Sequence, residues 1–107
     1  MQQLSASDLA AWLADAGRPQ PQLLDVRERW EFELARIAGS IHVPMGEVTR
    51  RLDEIDRTRP VVCVCHHGMR SLQVAVYLER NGFAQVGNLA GGIDAWSRDA
   101  DPACPTY

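Results

Sequence analysis

The segment Val61–Cys65, VVCVC, follows Pro60 directly and carries no charged or strongly polar side chain. Successive side chains of a β-strand point to opposite faces. A strand apolar at every position therefore has two faces to bury, which is the mark of a parallel sheet covered on both sides. The rest of the chain alternates in the way such a sheet needs. SASDLAAWLADAG reads as a helix: Ser5 with Asp8 forms a capping-box pattern, Leu9, Trp12, Leu13 and Ala16 give an apolar face, and Gly17 supplies a stop. QLLDV (22–26) reads as a strand, ERWEFELAR (28–36) as a short helix, and Ile41–Val43 as a brief strand stopped by Pro44. EVTRRLDEI (47–55) reads as a polar amphipathic helix. Beyond VVCVC come a helix, SLQVAVYLERNG (71–82), with Gly82 as its stop, a strand, FAQVGNL (83–89), and a short helix, GGIDAWS (91–97). The tail RDADPACPTY (98–107) is irregular.

With no internal repeat or linker, 107 residues fit one domain over 1–107. The alternation predicts an α/β fold of three layers, a mostly parallel sheet with helices on both faces. A chain of this length, 46% hydrophobic, can bury a core without disulfide staples. Its three cysteines suit no disulfide framework, since Cys63 and Cys65 fall two apart in one strand. Reduced thiols in a cytoplasm are the expectation. The N-terminus lacks the charged and apolar regions of a signal peptide, and no apolar run reaches membrane-spanning length. The net charge of −3 argues against a nucleic-acid or anionic-membrane partner.

In open parallel sheets ligands bind at the carboxyl ends of strands. Two such ends carry chemistry: Asp25-Val26-Arg27, and Cys65. Between Cys65 and the helix lie His66, His67, Gly68 and Met69, with Arg70 at the join. A tight strand–loop–helix turn aims several backbone N–H groups inward as an anion nest, and Gly68 permits the backbone angles it needs. Those amides and the helix N-terminus favour a thiolate at Cys65, which makes it the candidate nucleophile. Cys63 reads as core packing. A metal site is disfavoured: the cysteines and histidines here form one adjacent group rather than two ligand knuckles, and His42 and Cys104 stand alone.

The segments LLDVRERWEF, IAGSIHVPM, VVCVCHHGMRS and NLAGGIDAW together resemble, in order and spacing, the motifs of the rhodanese superfamily. The chain looks like a free-standing single-domain rhodanese, from about Leu23 to Trp96. The resemblance implies a central five-stranded parallel sheet and a catalytic cysteine, Cys65, that becomes a persulfide. Its active-site loop would run from Cys65 through His66, His67, Gly68, Met69 and Arg70. The implied reaction is sulfurtransferase chemistry: sulfane sulfur passes from a donor such as thiosulfate to a thiol or thioredoxin-like acceptor, with no metal or organic cofactor and the chain acting as a monomer. Tyrosine phosphatases, related arsenate reductases and cell-cycle phosphatases with a rhodanese-like fold place five residues between cysteine and arginine. Four stand here, a smaller cradle suited to one bound sulfur. A persulfide carrier that delivers sulfur to a protein partner is the alternative, and a catalytically silent interaction domain a further one.

The remaining residues have competing readings. His66 and His67 either bind the anionic donor or steer the acceptor, or are solvated loop residues. Arg70 either adds cradle charge or braces the loop against a carboxylate, for which Asp25 at the neighbouring strand end is the expected partner. Arg27 and Glu31, four apart, are expected to pair. The family's Asp-Val-Arg motif falls on Asp25, Val26 and Arg27, and the resemblance implies that Asp25 and Arg27 support rather than react; Ser71 is expected to be a supporting residue as well. Gly91 and Gly92 read as a turn that lets the last helix pack closely, Ile93 and Trp96 as core, and Cys104 as an exposed spare thiol, with sulfur acceptance or an intermolecular disulfide as its functional alternatives.

Overall fold

The computed structural model describes residues 1–107. Five strands form one sheet: β1 (Gln2–Leu4), β2 (Gln22–Asp25), β3 (Ile41–His42), β4 (Val61–Val64) and β5 (Val86–Leu89). Their spatial order is β1-β5-β4-β2-β3, and every neighbouring pair is parallel. Four α-helices complete the chain: α1 (Ala6–Ala14), α2 (Arg29–Leu34), α3 (Met69–Arg80) and α4 (Gly92–Asp99).

The central position of β4 follows from its two apolar faces. Val62 and Val64 join a core with Leu9, Trp12, Ile93 and Trp96 of α1 and α4. Val61, Cys63 and Cys65 join the opposite core with Val74, Ala75 and Leu78 of α3. Helices thus cover both faces, and the expected three-layer α/β arrangement is present. Helix α1 opens on the expected capping box: the Ser5 hydroxyl accepts the Asp8 N–H at 3.0 Å and the Asp8 carboxylate accepts the Ser5 N–H at 3.1 Å. Helix α3 ends where Gly82 turns to φ +90°.

Two expectations are corrected, and one strand is added to those read from the pattern. Strand β1 escapes the sequence pattern because it has three residues, two of them glutamine, and is held by its ladder to Gly87–Leu89 of β5. The segment 47–55 is not one helix but two 3₁₀ turns, Met45–Glu47 and Leu52–Glu54. A nine-residue helix is marginal alone, and here buried Val48 and Ile55 with the Arg51 bonds to Glu47 and Glu54 fix the backbone instead. Cys104 is buried, not exposed: the tail turns back after α4, and the thiol joins the core that holds Trp12 and Trp96. No helix is long and apolar enough to cross a membrane.

Candidate functional site

Strand β4 delivers Cys65 to the carboxyl edge of the sheet, and α3 starts four residues later. Gly68 closes the turn as the N-cap of α3, at φ +99° and ψ 0°. This is the left-handed region that glycine alone adopts without cost. The turn brings the Gly68 N–H to the Cys65 sulfur, at 3.1 Å. The Ser71 hydroxyl, one turn into α3, lies 3.2 Å from the same atom. Cys65 is only 1% exposed, so the sulfur sits at the base of the loop rather than on its rim.

A second helix holds the outside of the loop. At the start of α4 the Ile93 N–H donates to the Cys65 carbonyl at 2.9 Å, and the Asp94 N–H to the His66 carbonyl at 3.1 Å. These are N–H groups that a helix N-terminus leaves without internal partners. The approach is possible only because of Gly92. At φ +60°, a Cβ there would fall 2.5 Å from the Cys65 carbonyl oxygen and closer still to the His66 carbonyl. The glycine pair is therefore architectural, as expected, but the architecture it serves is the Cys65–Arg70 loop itself.

The charged residues sort differently from the expected pairing. Asp25 is taken by Arg27, not by Arg70. The Arg27 fork grips both carboxylate oxygens, Nε at 2.9 Å from Oδ1 and Nη2 at 2.7 Å from Oδ2, and both side chains are fully buried. Arg27 also donates to the Glu31 backbone carbonyl at 3.2 Å, so no Arg27–Glu31 side-chain pair forms. Glu31 instead accepts two parallel bonds from Arg70, at 2.7 and 2.9 Å. The physical reason is reach: Arg27 lies two residues past Asp25 and folds back on it, whereas Glu31 on α2 faces the loop. Arg70 is a loop strut, but its partner is Glu31.

The Arg70 bonds hold the Glu31 carboxyl down at about 2 despite its burial. A depressed acid stabilises the fold above its unfolded value, and that contribution is lost as pH falls toward the folded one. Glu31→Gln is therefore expected to cost about 2 kcal/mol at neutral pH, allowing for the part-exposed Arg70. The difference from the parent should shrink as pH falls from about 4.5 and vanish near 2. Urea unfolding of both proteins across that range checks it; a difference independent of pH would contradict the strut.

Tyr107 was invisible as a site residue in the sequence, being part of an irregular tail. Its hydroxyl accepts from Arg27 at 2.9 Å and donates to Glu31 at 2.7 Å, and its ring stacks on His66 at 4.0 Å. Burial pushes its hydroxyl up to about 12, so it stays protonated at neutral pH. His66 is half-buried between Tyr107 and His67, and that burial lowers its imidazole below the usual value. His67 and Met69 are exposed at the mouth of the loop. Asn88 on β5 is a second site neighbour with no role expected from the sequence; it is buried and bonded to Ser71 and to the Gly68 carbonyl. A polar residue within the otherwise apolar VGNL was the available signal.

His66, His67 and Asp94 place ligand-type atoms within 4.8 Å of one another. As arranged they do not converge on an ion. A metal lies in the plane of each imidazole it binds, about 2 Å from nitrogen; these rings are stacked 3.9 Å apart at 28°, so their lone pairs share no such point. Asp94 is also paired with Arg98. His42 bonds through Nε2 to the Arg27 carbonyl at 2.7 Å, away from the loop.

Residues 5–99 match the family model described as a rhodanese-like domain. The chain is 35% identical over 100 residues to a sulfurtransferase of Allochromatium vinosum, covering 94% of this chain and 92% of that protein. It is 34% identical over 74 residues to the thiosulfate sulfurtransferase GlpE of Coxiella burnetii, covering 69% of each. It spans only 40% of a longer relative from Bacillus subtilis. Among solved structures, the rhodanese-like domain protein of Staphylococcus aureus superposes with a TM-score of 0.85 at 27% identity, over 100% of this chain and 99% of that one.

Proposed function

The chain belongs to the rhodanese-like domain family, and from that premise we propose that it moves sulfane sulfur from a small anionic donor to a thiophilic acceptor through a persulfide on Cys65. One observation carries this reading: the Cys65 sulfur lies at the N-terminal end of α3, bonded by the Gly68 amide, in a loop of four residues closed by the Glu31–Arg70 pair.

In the first half-reaction the Cys65 thiolate attacks the outer sulfur of a donor such as thiosulfate. The new S–S bond forms as the old one breaks, and sulfite leaves with the electron pair. In the second, an acceptor thiolate or cyanide attacks the outer persulfide sulfur and Cys65 departs as thiolate. The loop amides and the α3 N-terminus supply positive potential for the anionic donor and for the persulfide. Arg70, neutralised by Glu31, acts mainly by bracing the loop. Its four-residue span suits one added sulfur better than a tetrahedral phosphate with three equatorial oxygens.

The test is steady-state kinetics with thiosulfate and cyanide. A covalent intermediate predicts parallel double-reciprocal lines as one substrate is varied at fixed levels of the other. Intersecting lines would mean direct transfer within a ternary complex and would remove the persulfide from the path.

A further inference from the structure

Ser71 has one hydroxyl hydrogen and two neighbours for it: the Cys65 sulfur at 3.2 Å and the Asn88 Oδ1 at 2.5 Å. The Asn88 amide decides between them. Its Nδ2 donates to the Gly68 carbonyl at 3.1 Å and to the Gln3 Oε1 at 2.8 Å. A backbone carbonyl can only accept, so Nδ2 must face Gly68, and Oδ1 then faces Ser71. Both Asn88 hydrogens are spent, and Oδ1 has none to give. Ser71 must therefore donate to Asn88, which turns a lone pair, not a hydrogen, toward Cys65. Ser71 and Asn88 are buried, at 0% and 1% exposure.

With Cys65 as the nucleophile proposed above, we infer that Asn88 is a positioning residue that sets the direction of the Ser71 hydroxyl. While Cys65 is a thiol, its S–H donates to Ser71 Oγ. When the S–H bond breaks, the proton passes to a solvent base and the electron pair stays on sulfur. The Ser71 hydrogen then leaves Asn88 Oδ1 and swings to the thiolate. Asn88 thus competes with the thiolate for one hydrogen, while its Nδ2 keeps the Gly68 end of the cradle in place. The other ionisable groups about the sulfur are Cys63 in the same strand, His66 and His67 in the loop, and Arg70 with its partner Glu31; none of them is altered in the variants below.

The test is alkylation of Cys65 by iodoacetamide in the full chain, read by mass spectrometry, for Asn88→Ala, Ser71→Ala and the double variant. Freed from Asn88, the Ser71 hydroxyl donates to the thiolate, and alkylation of Asn88→Ala near neutral pH should rise about threefold to tenfold, the worth of one hydrogen bond. The gain should fade as the pH of the reaction is raised. In the Ser71→Ala background the same Asn88 substitution should give no gain. An equal gain in that background, or one independent of pH, would mean that Asn88 only restricts access, and would overturn the inference. If Asn88→Ala does not fold, the S–H stretching band of the parent decides. The band that disappears in Cys65→Ser should lie at a hydrogen-bonded frequency and move to that of a free thiol in Ser71→Ala; a free-thiol frequency in the parent contradicts it. Neither readout requires turnover, so it can fail while sulfur transfer stands, and the reverse.

Discussion

Cys65→Ser is expected to remove sulfur transfer to background, a loss of about 10³-fold or more, while changing stability by no more than about 1 kcal/mol. Serine is near in volume to cysteine and can still accept the Gly68 N–H, so the loop has no reason to open. It cannot form a persulfide. Cys63 is the necessary contrast. It is fully buried in the core under α3, and burial pushes its thiol up to about 12. Cys63→Ala leaves a small void and should cost about 1 kcal/mol with activity retained. Assay and melting curve for the two variants separate the roles; loss of activity from well-folded Cys63→Ala would mean that the wrong cysteine has been identified.

Gly92→Ala is expected to be the most damaging single methyl in the chain. It forces alanine into the left-handed region at φ +60° and drives a Cβ against the Cys65 and His66 carbonyls, which are backbone and cannot swing away. The strain and the clash together should cost about 2–5 kcal/mol. The Ile93 and Asp94 bonds to the loop would be displaced with it, so sulfur transfer should fall even at temperatures where the variant remains folded. Gly39 is the control: it also has positive φ, at +83°, but a Cβ there meets nothing within 4 Å. Gly39→Ala should cost only the backbone term, about 1–2 kcal/mol, with kcat unchanged. Equal losses in both variants would show that the close approach to the loop is not what matters.

Much of this was legible from residue pattern because the pattern is local. VVCVC announces a central strand through its two apolar faces, Ser5 and Asp8 announce a capped helix, and Cys65 with Gly68 announces a tight turn into α3. What escaped depends on side chains reaching across the fold. Arg70 needs a carboxylate, but sequence cannot tell whether Asp25 or Glu31 points its way; Arg27 settles it by folding back on Asp25. β1 carries too few residues for any periodicity, and only the β5 ladder defines it. Cys104 lies between prolines in a polar tail, and its burial depends on the chain returning to the α1–α4 face. Tyr107 reaches the site by that same return.

If Cys65 carries the transferred sulfur, intact-mass and peptide mass spectrometry of thiosulfate-treated protein will locate it there. The expected result is a gain of the mass of one sulfur atom, located on the peptide bearing Cys65, removed by cyanide, and absent from Cys65→Ser. A sulfur adduct on Cys63 or Cys104, or none on Cys65 in protein that turns over thiosulfate, would contradict it.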